Sequence, residues 1–151
     1  MNRITPFLWF DDQAEEAMHF YVSTFRNSRV LSTSPGPGGK AMSVTFELDG
    51  QRFMALNAGP QFPFTEAISF FVSCETQPEV DDLWSKLSEE GQEGRCGWLK
   101  DKYGLSWQII PTVLGRLMSD PDRARAGRVM QAMLKMNKLD IDGLQQAYDQ
   151  G

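Results

Sequence analysis

The chain has 151 residues, 41% of them apolar and 23% charged, with a formal net charge of -5. That balance suits one soluble globular domain, or two small modules sharing a core. An acidic chain without a Lys/Arg cluster argues against nucleic acid as a partner, and no apolar run approaches the roughly 20 residues that span a bilayer. The negative charge lies in residues 1–118, because from Ser119 onward five acidic and five basic residues cancel. Cys74 and Cys96 lack metal or redox spacing and read as two reduced thiols. With a strand beginning almost at once and no expected signal peptide, the expected compartment is the cytoplasm.

In chain order, Ile4–Phe10 is apolar on both alternations, as in a strand covered on both faces. Asp12 is the expected N-cap of a helix through Phe25, with Ala14, Ala17, Met18, Tyr21 and Phe25 as its buried stripe. Arg29–Thr33 reads as a short strand, and Gly36–Lys40 as a mobile hairpin loop. A phosphate-binding role would need a helix immediately after that loop, and a strand follows instead. Met42, Val44, Phe46 and Leu48 alternate with polar residues, Asp49-Gly50 signals a hairpin, and Phe53–Asn57 is the return strand.

A Pro/Gly-containing segment, residues 57–65, separates the halves, and then the pattern repeats. Ile68–Cys74 alternates as a strand. Thr76-Gln77-Pro78-Glu79 fits a capping box for a helix through Leu87 with Val80, Leu83, Trp84 and Leu87 inward, and Gly91 is the expected stop. Trp98–Lys100 and Leu105–Ile110 are the last strands. Beyond Pro111 only helix is expected, with Asp120 capping a helix that carries Val129, Met130, Met133 and Leu134 on one side. Asp140 is the expected cap of a final short helix. The fold class is therefore α+β: two βαβββ modules, about 1–58 and 66–111, in a body of residues 1–111, and a helical tail over 112–151 that packs on the body or on a second copy.

Chemistry-bearing residues are sparse. His19, the one histidine, is expected on the exposed flank of the first helix, so no nitrogen or sulfur ligand set assembles. Glu47, the acid within an alternating strand, is the candidate for general acid–base work, although a solvated polar face is the favoured explanation for it. The stretch Cys96–Gln108 mixes Trp98, Trp107 and Tyr103 with alternating charges. That composition fits a pocket rim, or a hairpin with core tryptophans and a solvated Lys100-Asp101-Lys102 tip. No G-x-G-x-x-G is present, so a doubly wound crevice for a dinucleotide or adenosylmethionine has no support.

Four segments together carry a resemblance: Ile4-Thr5-Pro6-Phe7-Leu8-Trp9-Phe10-Asp11 with Gln13–Ala17 and Phe20-Tyr21, Leu48–Asn57, Trp98–Gln108, and Arg128–Met133. They are similar to the PhnB-like branch of the vicinal oxygen chelate superfamily. That superfamily includes glyoxalase I, bleomycin-resistance proteins and extradiol dioxygenases, and members of this branch are often labelled demethylubiquinone methyltransferases. The resemblance implies paired βαβββ modules forming a curved mixed sheet around a cavity, usually completed in a homodimer. It puts the superfamily's metal-ligand positions at Pro6, Ala55 or Asn57, Ala67 and Gln108, a set that implies no metal and no cofactor.

The leading functional expectation is a small, partly apolar or aromatic ligand bound in a metal-free cavity. By strand alternation its wall is expected to carry Leu8, Phe10, Asn57, Ser69, Phe71, Trp98 and Gln108, while Phe7, Trp9, Phe70 and Val72 pack against the helices. The alternatives are a metal-dependent lyase or dioxygenase with a displaced ligand set, the methyltransferase of the label, and an interaction module acting through the tail. No membrane partner is expected.

Overall fold

A computed structural model describes residues 2–150 and divides the chain into two compact units, 1–64 and 65–151. The first contains β1 (Phe7–Phe10), α1 (Ala14–Thr24), β2 (Arg29–Pro35), β3 (Ala41–Leu48) and β4 (Gln51–Asn57). Its sheet order is β1-β4-β3-β2, with β1 parallel to β4 and the other pairs antiparallel. The β3–β4 turn needs a left-handed backbone at both central residues, and Asp49 (φ 49°) and Gly50 (φ 85°) supply it. The Gly-rich stretch Gly36–Lys40 is the connection between β2 and β3, containing a short 3₁₀ turn at Pro37–Gly39 and closed by the Gly36 N–H donating to the Lys40 carbonyl.

One face of this sheet is covered. Val44, Phe46, Phe53 and Ala55 are each at most 5% exposed. The Tyr21 ring of α1 stacks on Phe46, which stacks on Phe53. Ala14, Ala17, Met18 and Tyr21 are the buried stripe of α1, as the periodicity predicts, joined by Thr24 in place of the half-buried Phe25. Each large side chain so buried contributes about 1.5–3 kcal/mol.

The start of α1 differs from the expectation. Gln13 occupies the cap position without a side-chain bond, because the backbone of residues 10–11 is still paired with Ala58 and Gly59. Asp12 instead pairs with Lys40 at 3.3 Å. The first helical N–H, that of Ala14, donates to Asn57 Oδ1 at 2.8 Å, and Asn57 Nδ2 donates to the Ala41 carbonyl. Asn57 thus caps the helix from the end of β4, serving one of the donors a helix start leaves open. Asn57→Ala is expected to lower stability by about 1–2 kcal/mol, read as a shift in the urea midpoint; an unmoved midpoint would show that the cap contributes nothing.

The second unit repeats the topology. It has β5 (Ser69–Cys74), α2 (Gln77–Ser88), β6 (Gln92–Glu93), β7 (Trp98–Lys100) and β8 (Ser106–Pro111), in sheet order β5-β8-β7-β6. Thr76 caps α2 as the sequence predicts, its hydroxyl accepting from the Glu79 N–H at 3.3 Å. The left-handed residue after α2 is Glu90 (φ 60°) rather than Gly91. Gly91 is needed for a different reason: its Cα lies against the backbone of Lys100 and Asp101. Val80, Trp84, Leu87, Leu99, Trp107 and Ile109 form the covered side.

Three helices follow: α3 (Thr112–Met118), α4 (Arg123–Met133) and α5 (Ile141–Asp149). Asp140 caps α5, but α4 is capped by Asp122, whose Oδ1 accepts from the Ala124 and Arg125 N–H groups. Asp120 takes the Asp122 N–H and the Tyr148 hydroxyl instead, and those hydrogen bonds, Tyr148 first, hold its carboxyl below the ordinary value. The expected stripe of α4 is split, with Val129 buried while Met130 and Leu134 are 43% and 46% exposed. Within the same unit the helices pack on the second sheet through Leu114, Leu117, Val129, Leu139 and Leu144 around Ile110 of β8. Gln77 of α2 pins the segment entering α5, donating to the Leu139 carbonyl and accepting from the Ile141 N–H.

Candidate functional site

Each sheet has one face against its helix and one face without a helix of the βαβββ unit. In the first unit the pairing places Leu8, Ala55 and Val44 in one row, next to Phe10 with Asn57. That row lies on the α1 side, where Asn57 caps the helix, and Leu8 and Phe10 are only 6% and 3% exposed. Leu8, Phe10 and Asn57 are therefore not on the open face, as alternation alone led one to expect. The open face carries Phe7, Trp9, Thr45, Glu47, Met54 and Leu56. Phe7 is 54% exposed, and Trp9 meets Phe62 edge-on while its Nε1 donates to the Gly59 carbonyl. A strand apolar at every position does not encode which side faces the helix. Glu47, the acid–base candidate, lies on the open face with its Oε2 2.8 Å from Arg29 Nε, and this bond raises the affinity of the guanidinium for its proton.

In the second unit the reading of the faces agrees with the pairing. Phe70 and Val72 share the α2 side with Trp107 and Ile109, while Ser69, Phe71, Trp98, Lys100, Ser106 and Gln108 share the open face. Phe71 is 61% exposed, and Gln108 Nε2 donates to Ser69 Oγ at 2.9 Å. The α3–α5 helices cover one end of this face at Ile110. At that end the Cys96 and Gly97 N–H groups donate to the Met136 and Asn137 carbonyls.

The stretch Cys96–Gln108 divides between the two roles its composition offered. Trp107 is 2% exposed on the covered side. The hairpin tip is not solvated throughout: Asp101 is 3% exposed, and its carboxylate accepts from the Tyr103 and Leu105 N–H groups and from Trp107 Nε1 at 2.9 Å. Trp98 and Lys100 line a cleft of about 210 Å³ with Ser106 and Glu66. Lys100 Nζ lies 3.0 Å from Glu66 Oε1, and this hydrogen bond, with the Glu66 backbone N–H, holds the carboxyl below its ordinary value. Ser106, absent from the sequence-level candidates, is 1% exposed with no hydrogen-bond partner for its Oγ. Its position between Leu105 and Trp107 gave no signal, since burial of one small polar residue arises only from tertiary packing.

A second concavity, about 380 Å³, lies at the start of α1 between Asp12, Glu15, Glu16 and Lys40. His19 is 62% exposed, 3.9 Å from Glu15. Neither cysteine is in a disulfide. Among the described residues no group of three or more His, Cys, Asp or Glu side chains converges as a metal site. The positions that the resemblance assigns to a metal fit one poorly: the Pro6 and Ala67 side chains have no donor atom, Ala55 is buried on the α1 side, Asn57 is spent on capping, and Gln108 is bonded to Ser69. Among the described residues no helix is long and apolar enough to cross a membrane.

No curated protein matches the chain. Among solved structures, a Bacillus cereus PhnB protein whose description also carries a 3-demethylubiquinone-9 3-methyltransferase label is 38% identical, with a TM-score of 0.70 over 74% of this chain and 100% of that one. A Pseudomonas aeruginosa protein (20% identical, TM-score 0.61, 73% of this chain and 96% of that one) and an Arabidopsis thaliana gene product (16%, 0.52, 73% and 98%) share the fold. The family model described as 3-demethylubiquinone-9 3-methyltransferase matches residues 2–110, ending within β8 and before α3. The chain belongs to that family, within the PhnB-like branch of the vicinal oxygen chelate superfamily.

Proposed function

We propose that the protein binds a small, partly apolar or aromatic molecule on an open sheet face, without a metal. One observation carries this reading: the open face of the second sheet sets an exposed aromatic ring, Phe71, and the indole of Trp98 beside an amide–hydroxyl pair, Gln108 with Ser69. Apolar walls with a few placed polar groups are the usual make-up of a small-molecule site. The assembly proposed with it is a homodimer in the cytoplasm, a compartment in keeping with two thiols outside any disulfide.

The methyltransferase label implies adenosylmethionine, and the residues fit that group poorly. The turns from β1 into α1 and from β5 into α2 hold Asp11, Asp12 and Glu75 and no glycine, so carboxylates stand where a backbone would have to approach the ligand.

Titrating the protein with one- and two-ring aromatic compounds while recording tryptophan fluorescence tests the reading. Saturable changes are expected, weakened about 3- to 10-fold in Phe71→Ala by the loss of one aromatic contact. A panel without any saturable response would reject it. Adenosylmethionine is expected to give no heat in a calorimetric titration, and stoichiometric binding would restore the methyltransferase.

A further inference from the structure

Ser106 is the one described residue with a buried side-chain polar atom lacking any partner. A hydroxyl offers one donor and two acceptor sites, and native structures rarely bury one with none engaged. The pairing sets Ser106 between Ser69 of β5 and Lys100 of β7, on the open face. It lines the 210 Å³ cleft with Trp98, Lys100 and Glu66. Three properties of that cleft narrow what completes it.

The first is size. An apolar cavity of about 150 Å³ accepts benzene, so this cleft accommodates one ring and one substituent, and a second ring would protrude. The second is the wall, where Trp98 offers an aromatic surface. The third is the charge already in place. Glu66 puts a carboxylate 3.0 Å from the Lys100 ammonium, yet its own side chain is 62% exposed. Such a solvated ion pair holds weakly. Another carboxylate can take its place while Glu66 turns to water, leaving the ligand a second oxygen for the Ser106 hydroxyl.

The geometry points to a subsite for a monocyclic aromatic carboxylate, which accepts from Ser106 Oγ–H and Lys100 Nζ and sets its ring against Trp98. This rests on the small-molecule reading above and deepens it. Glu66 acts there as an internal placeholder that the ligand displaces.

Benzoate and its neutral isostere benzamide are the probes, followed through the Trp98 indole N–H resonance of the full-length protein. Benzoate is expected to bind about tenfold more tightly than benzamide, the effect of one charge-assisted hydrogen bond. Lys100→Met removes that preference, and Glu66→Gln tightens benzoate several-fold by removing its competitor. Ser106→Ala carries the sharpest signature. It weakens benzoate about tenfold and raises the melting temperature by about 3 °C, because the orphaned hydroxyl is gone. Equal affinity for the two probes overturns the proposal, as does a Ser106→Ala protein that binds benzoate unchanged. Absence of any benzoate response together with a fluorescence hit that depends on Phe71 removes this subsite and leaves the broader reading intact. Silence in both assays removes both.

Discussion

Asp101→Ala is expected to destabilise the protein by about 4 kcal/mol, a large share of the roughly 5–15 kcal/mol that holds a domain folded. Asp101 is 3% exposed, and its carboxylate serves the Tyr103 and Leu105 N–H groups on Oδ1 and Trp107 Nε1 on Oδ2. Removing it strands the buried Leu105 N–H and Trp107 Nε1 donors, and each such group costs about 1–3 kcal/mol. Asp101→Asn separates the contributions. Its carbonyl keeps the two backbone donors, but its amide meets the Trp107 N–H donor to donor, for a loss of about 2 kcal/mol. Adding Trp107→Phe removes the opposing donor, so the double variant is expected to lose less than the sum of the singles. Urea denaturation of the four proteins reads the cycle. Strict additivity would mean that Asp101 does not act through the indole.

Gly91→Ala is expected to cost about 3 kcal/mol. A Cβ at this position would overlap the Lys100 carbonyl oxygen and stand 2.9 Å from the Asp101 carbonyl carbon. Both neighbours are backbone, so no rotamer change relieves the contact, and the edge strand β6 must move away from β7. Since Lys100 and Trp98 of β7 line the cleft, the substitution is also expected to loosen the site, with faster amide exchange at Glu93 and Lys100. A melting temperature equal to that of the parent would show that the hairpin yields without cost.

Both positions illustrate how unevenly this protein is written in its residues. Glu-rich and Gly-containing, the stretch Glu89–Gly94 carries no strand periodicity, and β6 is two residues long, so nothing local announces it. Gly91 looks like a helix stop, and the residue that turns left-handed is its neighbour Glu90. Asp101 sits between two lysines at a hairpin tip, a composition that reads as solvated, and it is buried where the Tyr103 and Leu105 N–H groups of its own turn and the indole of Trp107 on β8 converge on its carboxylate.

The same division runs through the candidate site. The open-face placement of Ser69, Phe71 and Gln108 was legible because β5 and β8 mix polar and apolar residues, which sets the parity of the strand. Leu8, Phe10 and Asn57 were placed on the wrong side because Phe7–Phe10 is apolar at each of its four positions and the parity is silent. The register of β1 against β4 then decides it, with Asn57 reaching the start of α1.

By itself, the sequence determined the α+β class, the doubled βαβββ pattern, the Thr76 and Asp140 caps, the Asp49-Gly50 turn and the helical character beyond Pro111. These are local matters of periodicity, backbone conformation and a side chain's reach of three residues. Tertiary structure alone decided which face of β1 is open, that Asn57 rather than Asp12 caps α1, that Asp101 is interior, and that Ser106 is left without a partner beside Lys100. The β1 face, the Asn57 cap and the Ser106 environment depend on groups far apart in the chain arriving at one point through the pairing register, whereas Asp101 is closed in by its own turn and by Trp107 once β7 and β8 pair.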